Sequence, residues 1–240
     1  VLTMNSVFTL PVSRTFTINP SARLILGNSL TLNGTFTVNG IIEMGPYVIS
    51  GTGAFTANAA TSVLRIGHAN GINLVATGAV GNVQTTTRTY GAIGTYIYIG
   101  TVAQITGTGL PVALTTGSLQ IDNSSGVSLT QATSITGTGN LTLTNGPFRL
   151  GNFNFTLAAT SPLNGAPFGV NKLVVTDGTG QLIRQIPAAA WVNPYVFPIG
   201  SSTSYNPVSV SFTATTATGN LGARFVNSAH PSIGAAADYL

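Results

Sequence analysis

The 240-residue chain is 43% hydrophobic and only 5% charged, with 29 glycines, 12 prolines and no cysteine. That much apolar surface can bury a core, which excludes a disordered polypeptide, and the missing cysteine excludes disulfides and thiolate metal sites. The formal charge of +4 comes from Arg14, Arg23, Arg65, Arg88, Arg149, Lys172, Arg184 and Arg224 against four acids; spread along the whole chain, these bases form no stripe for nucleic acid and read as isolated solvated charges.

The chain opens with VLTMNSVFTL, which has neither an initiator Met nor a charged region followed by an apolar one. It is therefore read as a mature or internal fragment. Apolar pairs then fall at Phe8/Leu10, Phe16/Ile18, Leu24/Leu26, Leu30/Leu32, Phe36/Val38 and Ile42/Met44. Spacing of two predicts strands with one buried face. The joints between pairs are Asn19-Pro20, Gly27-Asn28, Asn33-Gly34, Asn39-Gly40 and Gly45-Pro46, turn dipeptides that tolerate positive φ or fix it. Strands this short suit a parallel β-helix better than a meander of hairpins, because each pairs with its equivalent one coil above and below. Three runs of about seven residues predict coils of roughly twenty.

Threonine recurs between the apolar positions, at Thr9, Thr17, Thr31 and Thr37, and later at Thr142 and Thr156. Its β-branch favours extended backbone and its hydroxyl keeps an outer face wet. Stacked coils would line these residues into ladders, either as plain solvated surface or as an array that orders water or docks a ligand. The irregular spacing of the pattern, roughly six to nine residues, argues against a flat face that matches ice.

The interval from Thr89 to Ile121 carries no charge, but Gly91, Gly94, Gly100, Gly107, Gly109 and Pro111 interrupt it. No membrane insertion is expected, since neither a spanning helix nor long barrel strands can form from such pieces. Within it Tyr96 and Tyr98 share one face of a strand, with Arg88 and Tyr90 close by. These four are the candidate surface contact, for aromatics flanked by Arg can stack on a sugar ring or anchor a protein partner. The competing reading is that they cover the seam where one set of coils meets the next.

The rhythm returns at Leu119/Ile121, Val127/Leu129, Ile135, Leu141/Leu143, Phe148/Leu150 and Phe155/Leu157. After Pro162 the texture changes. Residues 171–187 read as strand, Asp177-Gly178 turn and strand, and 191–216 add longer strands with Val208, Val210 and Phe212 alternating. The expected fold class is thus all-β: a parallel β-helix over 1–165 followed by an antiparallel β-sandwich-like domain over 166–240. The second piece is thin for a whole sandwich, so completion by another segment is expected.

The succession AQITGTGLP, SSGVSLTQATSITGTGNLTLTNGPFRLGNFNFTL, LVVTDGTGQLIRQIP and FPIGSSTSYNPVSVSFT resembles the repetitive modules of very large secreted surface proteins of Bacteroidota. Those proteins are adhesin-like and exported by the type IX secretion pathway. The resemblance covers most of residues 80 to 215. It implies an extracellular, cell-surface or filamentous module that spaces, displays or adheres, and it brings no catalytic motif.

Chemistry is sparsely supplied. Hydrolysis of a polysaccharide needs two carboxylates across the scissile bond, and the acids are Glu43, Asp122, Asp177 and Asp238. Asp122 and Asp177 sit in turns, Asp238 lies near the end of the chain, and Glu43 alternates outward in IIEMGP. His68 and His230 lack metal-ligand spacing, there is no Asp-rich loop and no Gly-x-Ser-x-Gly elbow. No catalytic residue, metal or cofactor is therefore expected. The leading expectation is a non-catalytic structural or adhesive module; a glycan- or ice-binding solenoid, suggested by the Thr-x-Thr triplets at 15–17 and 35–37, is the alternative, and a polysaccharide-degrading β-helix follows it. Expected partners are neighbouring modules or copies of the chain, end to end, because an uncapped solenoid exposes strand edges at its ends; surface glycans or other cells come next.

Overall fold

The computed structural model describes residues 1–75, 78–189 and 191–228, with the backbone alone for 191–193. Among the described residues all regular structure is strand. Eight strands pair in parallel, in chain order, into one long sheet: Leu2–Met4, Arg23–Leu26, Ile41–Gly45, Val63–Ile66, Thr95–Tyr98, Ser118–Asp122, Leu141–Asn145 and Leu163–Asn164. Between consecutive members the chain lays one strand on each of two further faces. In the early coils these are Phe8–Leu10 and Leu30–Leu32, then Thr15–Ile18 and Thr35–Val38, with the longer Ile49–Ala57 and Val83–Tyr90 crossing both. In the later coils they belong to two five-stranded sheets, one running from Gln104–Ile105 to Ile199–Gly200 and the other from Ala113–Leu114 to Leu182–Ile186 and Gly219–Ala223. The result is a parallel β-solenoid of about nine coils.

The inner positions stack in columns because the pairing is in register. Along the long sheet Leu2, Leu24, Ile42, Leu64, Tyr96, Leu119, Leu141 and Leu163 follow one another. On another face Phe16, Phe36 and Phe55 pair in the same way, their rings edge to face at 5.1 and 5.7 Å. Edge-to-face packing sets the positive rim of one ring on the negative face of the next. Side chains of the interior coils are buried in these columns, and no single coil could bury its side chains alone.

Corners decide whether coils of unequal length can keep this register. Ile49–Ala57 turns between two faces through Gly51, whose φ is +120°, and Gly53, where a Cβ would lie 2.1 Å from the carbonyl oxygen of Gly34. Only glycine fits a corner stacked that closely on the coil below. The longest coil runs from Leu64 to Tyr96, and its extra length lies between Ile66 and Val83. Part of this insertion makes a first layer beneath the later sheets: Ile105 N–H donates to Ala69 O at 2.8 Å and Gly109 N–H to Ile72 O at 3.0 Å.

Buried amide side chains lock that corner. Asn82 is fully buried; its Nδ2 donates to Gly45 O (2.8 Å) and Tyr47 O (2.6 Å), while its Oδ1 accepts from the Gly67 and His68 amides. One coil on, Gln104 Nε2 donates to Ile66 O and His68 O, and its Oε1 accepts from Gly100 N–H and from Asn123 Nδ2. Asn123 Nδ2 also reaches Val102 O at 2.8 Å. Every polar atom of this ladder has a partner, as burial demands.

The parallel pairing does not stop at residue 165. The long sheet ends at Leu163–Asn164, where the composition changes, but Val174–Val175 pairs in parallel with Phe148–Arg149 and Leu182–Ile186 with Phe155–Leu157. The strands read as a hairpin around Asp177-Gly178 therefore lie on different faces of one coil, each taking its partner from the coil before. Antiparallel pairing begins with Leu182–Ile186 against Gly219–Ala223 and with Trp191–Phe197 against Val208–Phe212.

Replacing Asn82 by Leu would take the side-chain partner from two partly buried N–H groups and two carbonyls, so a loss of about 3 kcal/mol is expected. Urea denaturation of the Asn82→Leu variant measures it, with the outward Thr156→Ala as a near-neutral comparison.

Candidate functional site

The four residues of the expected surface contact divide into two pairs. Tyr96 and Tyr98 are fully buried, continuing the inner columns between Leu64 and Leu119 and between Ile66 and Ile121. Their hydroxyls donate to Gly91 O and Thr106 O, each at 2.7 Å. They fill the core at the step from the early to the later coils and present no ring to the outside. Arg88 and Tyr90 lie at the same seam, on the last strand over the early coils. Arg88 is in register with the inward Phe55 and donates Nη2–H to Val75 O at 2.6 Å. Tyr90 packs 6.1 Å from the Phe55 ring, tilted. The Arg88 Nε and Nη1 and the Tyr90 hydroxyl are shielded and, among the described residues, have no hydrogen-bond partner. Burial raises the Tyr90, Tyr96 and Tyr98 phenols well above their ordinary value, with the Arg88 charge opposing that rise at Tyr90. Two of the four, Tyr96 and Tyr98, are thus core residues at the seam between the early and the later coils.

The acids fall into place singly. Glu43 stands on the outer face of the long sheet, between Arg23 on the preceding strand and Arg65 directly opposite on the next. Its Oε2 accepts from Arg23 Nη2 and, at 2.8 Å, from Arg65 Nε. Partial burial works to raise the Glu43 carboxyl, but the two guanidiniums outweigh it and hold the group below its ordinary value. Asp122 lies on the same face, three strands farther along and two residues beyond Gln120, which continues the Glu43 column, a separation of roughly 16 Å at the usual strand spacing and rise. Paired acids of glycoside hydrolases stand roughly 5 to 9.5 Å apart. Asp177 is exposed at a corner; Asp238 and His230 lie outside the described residues. Among the described residues no three His, Cys, Asp or Glu side chains gather, and no helix is long and apolar enough to cross a membrane.

The threonine positions form the most regular surface of the molecule. Thr15 pairs with Thr35, Thr35 with Ala54 and Ala54 with Thr87; Thr17 pairs with Thr37, Thr37 with Thr56 and Thr56 with Thr89. The two columns stand side by side on one face, with Phe16, Phe36, Phe55 and Arg88 directed inward between them. On the neighbouring face Thr9, Thr31, Ser50 and Gln84 make a third outward column. The irregular spacing in the sequence is absorbed at the corners, so the Thr-x-Thr triplets stack into an even array. Thr142 and Thr156 join mixed columns instead, beside Gln120 and Asn164 and beside Ser134 and Ile183.

No family model, curated protein or solved structure matches this chain. Its residues and their geometry therefore carry the functional reading.

Sequence reasoning missed the amide ladder of Asn82, Gln104 and Asn123 and the Glu43 triad. The triad had a signal: Arg23, Glu43 and Arg65 occur at nearby phases of three successive RLIL, IIEM and VLRI runs.

Two titrations are expected to bracket stability. Glu43 has a depressed carboxyl, so its contribution is present above the ordinary carboxylate pKa of about 4.3 and is lost as pH falls through the lower folded value. Glu43→Gln should remove about 1 kcal/mol at neutral pH and flatten the acid limb. The tyrosines have raised values, so their contribution is whole below about pH 10 and is lost as pH rises beyond it. Thermal melts from pH 2 to 12 on the chain and on Glu43→Gln test both signs.

Proposed function

We propose that the chain is a non-catalytic structural or adhesive module of an extracellular, cell-surface assembly, and that it extends by stacking coil on coil. The observation that carries this reading is the outer side of the coil formed by Leu2–Met4, Phe8–Leu10 and Thr15–Ile18. Among the described residues each of these strands pairs on one side only. Between them an apolar cavity of about 210 Å³ opens onto the core, lined by Leu2, Met4, Phe8, Leu10 and Phe16 over Leu24, Leu30 and Phe36. Leu2 is 56% and Phe8 44% exposed, although their register partners Leu24 and Leu30 are buried.

An apolar cavity ringed by unpaired strand edges is complementary to one thing above all, another coil of the same construction. Such a coil would satisfy the edge N–H and C=O groups and fill the cavity at once. A neighbouring module or a second copy supplies it equally well in this reading. The antiparallel pairings beyond Leu182 are then the start of a sandwich-like unit at the other end. The resemblance to Bacteroidota surface modules supports the extracellular setting, and the wide separation of the described carboxylates, with Glu43 held between Arg23 and Arg65, favours a role without catalysis.

Electron microscopy and sedimentation of the chain, beside a Leu2→Lys/Phe8→Lys variant, test the reading. End-to-end filaments or oligomers that grow with concentration, and that the charged variant loses, are expected. A strictly monomeric chain whose first-coil amides resist hydrogen exchange would overturn it, because that end would then need no partner.

A further inference from the structure

The hydroxyls of the threonine array have nothing to do inside the described protein. Several hydroxyls on other parts of the molecule are engaged: Thr52 with Asn33, Thr85 with Thr87 O, Thr106 with Thr130, Thr142 with Asn140, and Ser62 with Val38 O. The side-chain oxygens of Thr15, Thr17, Thr35, Thr37, Thr56, Thr87 and Thr89 make no hydrogen bond within the described protein. They point outward from strands whose inward side is held flat by the Phe16, Phe36 and Phe55 stack.

The array repeats in two directions. Strands stack about 4.8 Å apart, and alternate residues along a strand stand about 6.6 Å apart. At each point of that grid except Ala54 sits one hydroxyl and one methyl. The face carries no charge, since Arg88, the one charged residue between its columns, is turned inward in register with Phe55. It also carries no aromatic ring, since Phe36 and Phe55 behind it are in the core and Phe16 packs against that core.

These features select among ligands. A sugar chain is gripped by aromatic faces and by charged or amide side chains, and a protein partner by large anchors in pockets; this face offers neither. A regular grid of hydroxyls and methyls is suited to a ligand that is itself a regular grid of hydrogen-bonding groups. In liquid water, fixing a molecule over each threonine costs up to about 2 kcal/mol of immobilisation. In an ice surface the molecules are already fixed, so that cost is absent and the hydroxyls and methyls meet a preorganised partner.

We propose that the face formed by Thr15, Thr17, Thr35, Thr37, Thr56 and Thr89 binds the surface of crystalline water. This goes beyond the structural reading and does not depend on it, because the face is lateral and the stacking surface is at the end of the solenoid.

Labelled chain is presented to a slowly growing ice hemisphere, and thermal hysteresis is measured on the same sample. Incorporation into the ice and a measurable hysteresis are expected. Thr37→Lys and Thr56→Lys, placed at the centre of the array, should each lose both, while Thr156→Lys on another face and the Leu2→Lys/Phe8→Lys variant should keep them. Circular dichroism melts confirm that the lysine variants remain folded, as outward substitutions should. Exclusion of the chain from ice would overturn the proposal, as would incorporation undiminished by both central lysines. Binding to an insoluble polysaccharide without affinity for ice would also overturn it and assign the face to glycans.

Discussion

Parallel, in-register pairing between successive coils is the constraint on which everything else in this molecule rests. A strand of three or four residues has too few hydrogen bonds and too little buried surface to persist alone. Set between two like strands, it has both edges satisfied and its apolar side chains enter a column that continues above and below. The leucine, isoleucine and phenylalanine columns, the outer threonine columns and the Glu43 triad all follow from that single relation. A slip of one residue would send each column to the opposite face.

Coils of unequal length threaten that relation, and the corners resolve it. The 18 residues from Leu24 to Ile42 and the 32 from Leu64 to Tyr96 both return the chain to the same sheet in register. Short coils do so through glycines packed against backbone carbonyls, as at Gly53. The long one does so through Asn82, which ties its return to the coil below, and through Gln104 and Asn123, which carry the tie onward. Tyr96 and Tyr98 belong to the same solution, for they fill the interior there and still reach a carbonyl with each hydroxyl.

Much of this was legible in the chain. Runs such as FTL, LTL and TFTV announce which residues face in, and Asn-Gly or Gly-Asn joints announce where a face ends. The inter-coil partners were less legible, because they depend on corner lengths that a local rhythm does not contain. In TYIY, Ile97 is as apolar as its neighbours, so alternation alone could not say that the tyrosines turn inward. Asn82, Gln104 and Asn123 resemble any other polar residue in a turn until three coils are stacked. The same blindness worked in the other direction for the threonine triplets, whose uneven spacing hid an even array. Beyond residue 165 the change of composition was real, but the solenoid continues through it on two faces.

The functional readings share this physical origin. The coil of Leu2–Met4, Phe8–Leu10 and Thr15–Ile18 has partners on one side among the described residues, which motivates the proposed end-to-end extension. Its sides carry whatever the outer positions repeat, and on one side that is a charge-free grid of hydroxyls. Both depend on register surviving the longest coil. The chain has no native cysteine, so paired substitutions report register directly. Val63→Cys with Thr95→Cys, which are opposite each other across that coil, should oxidise to a disulfide readily in the folded protein, since in-register Cα atoms lie within the roughly 4.4 to 6.8 Å that such a bond spans. Little cross-linking there, with efficient cross-linking of Val63→Cys to Ile97→Cys instead, would contradict the register and with it the whole account.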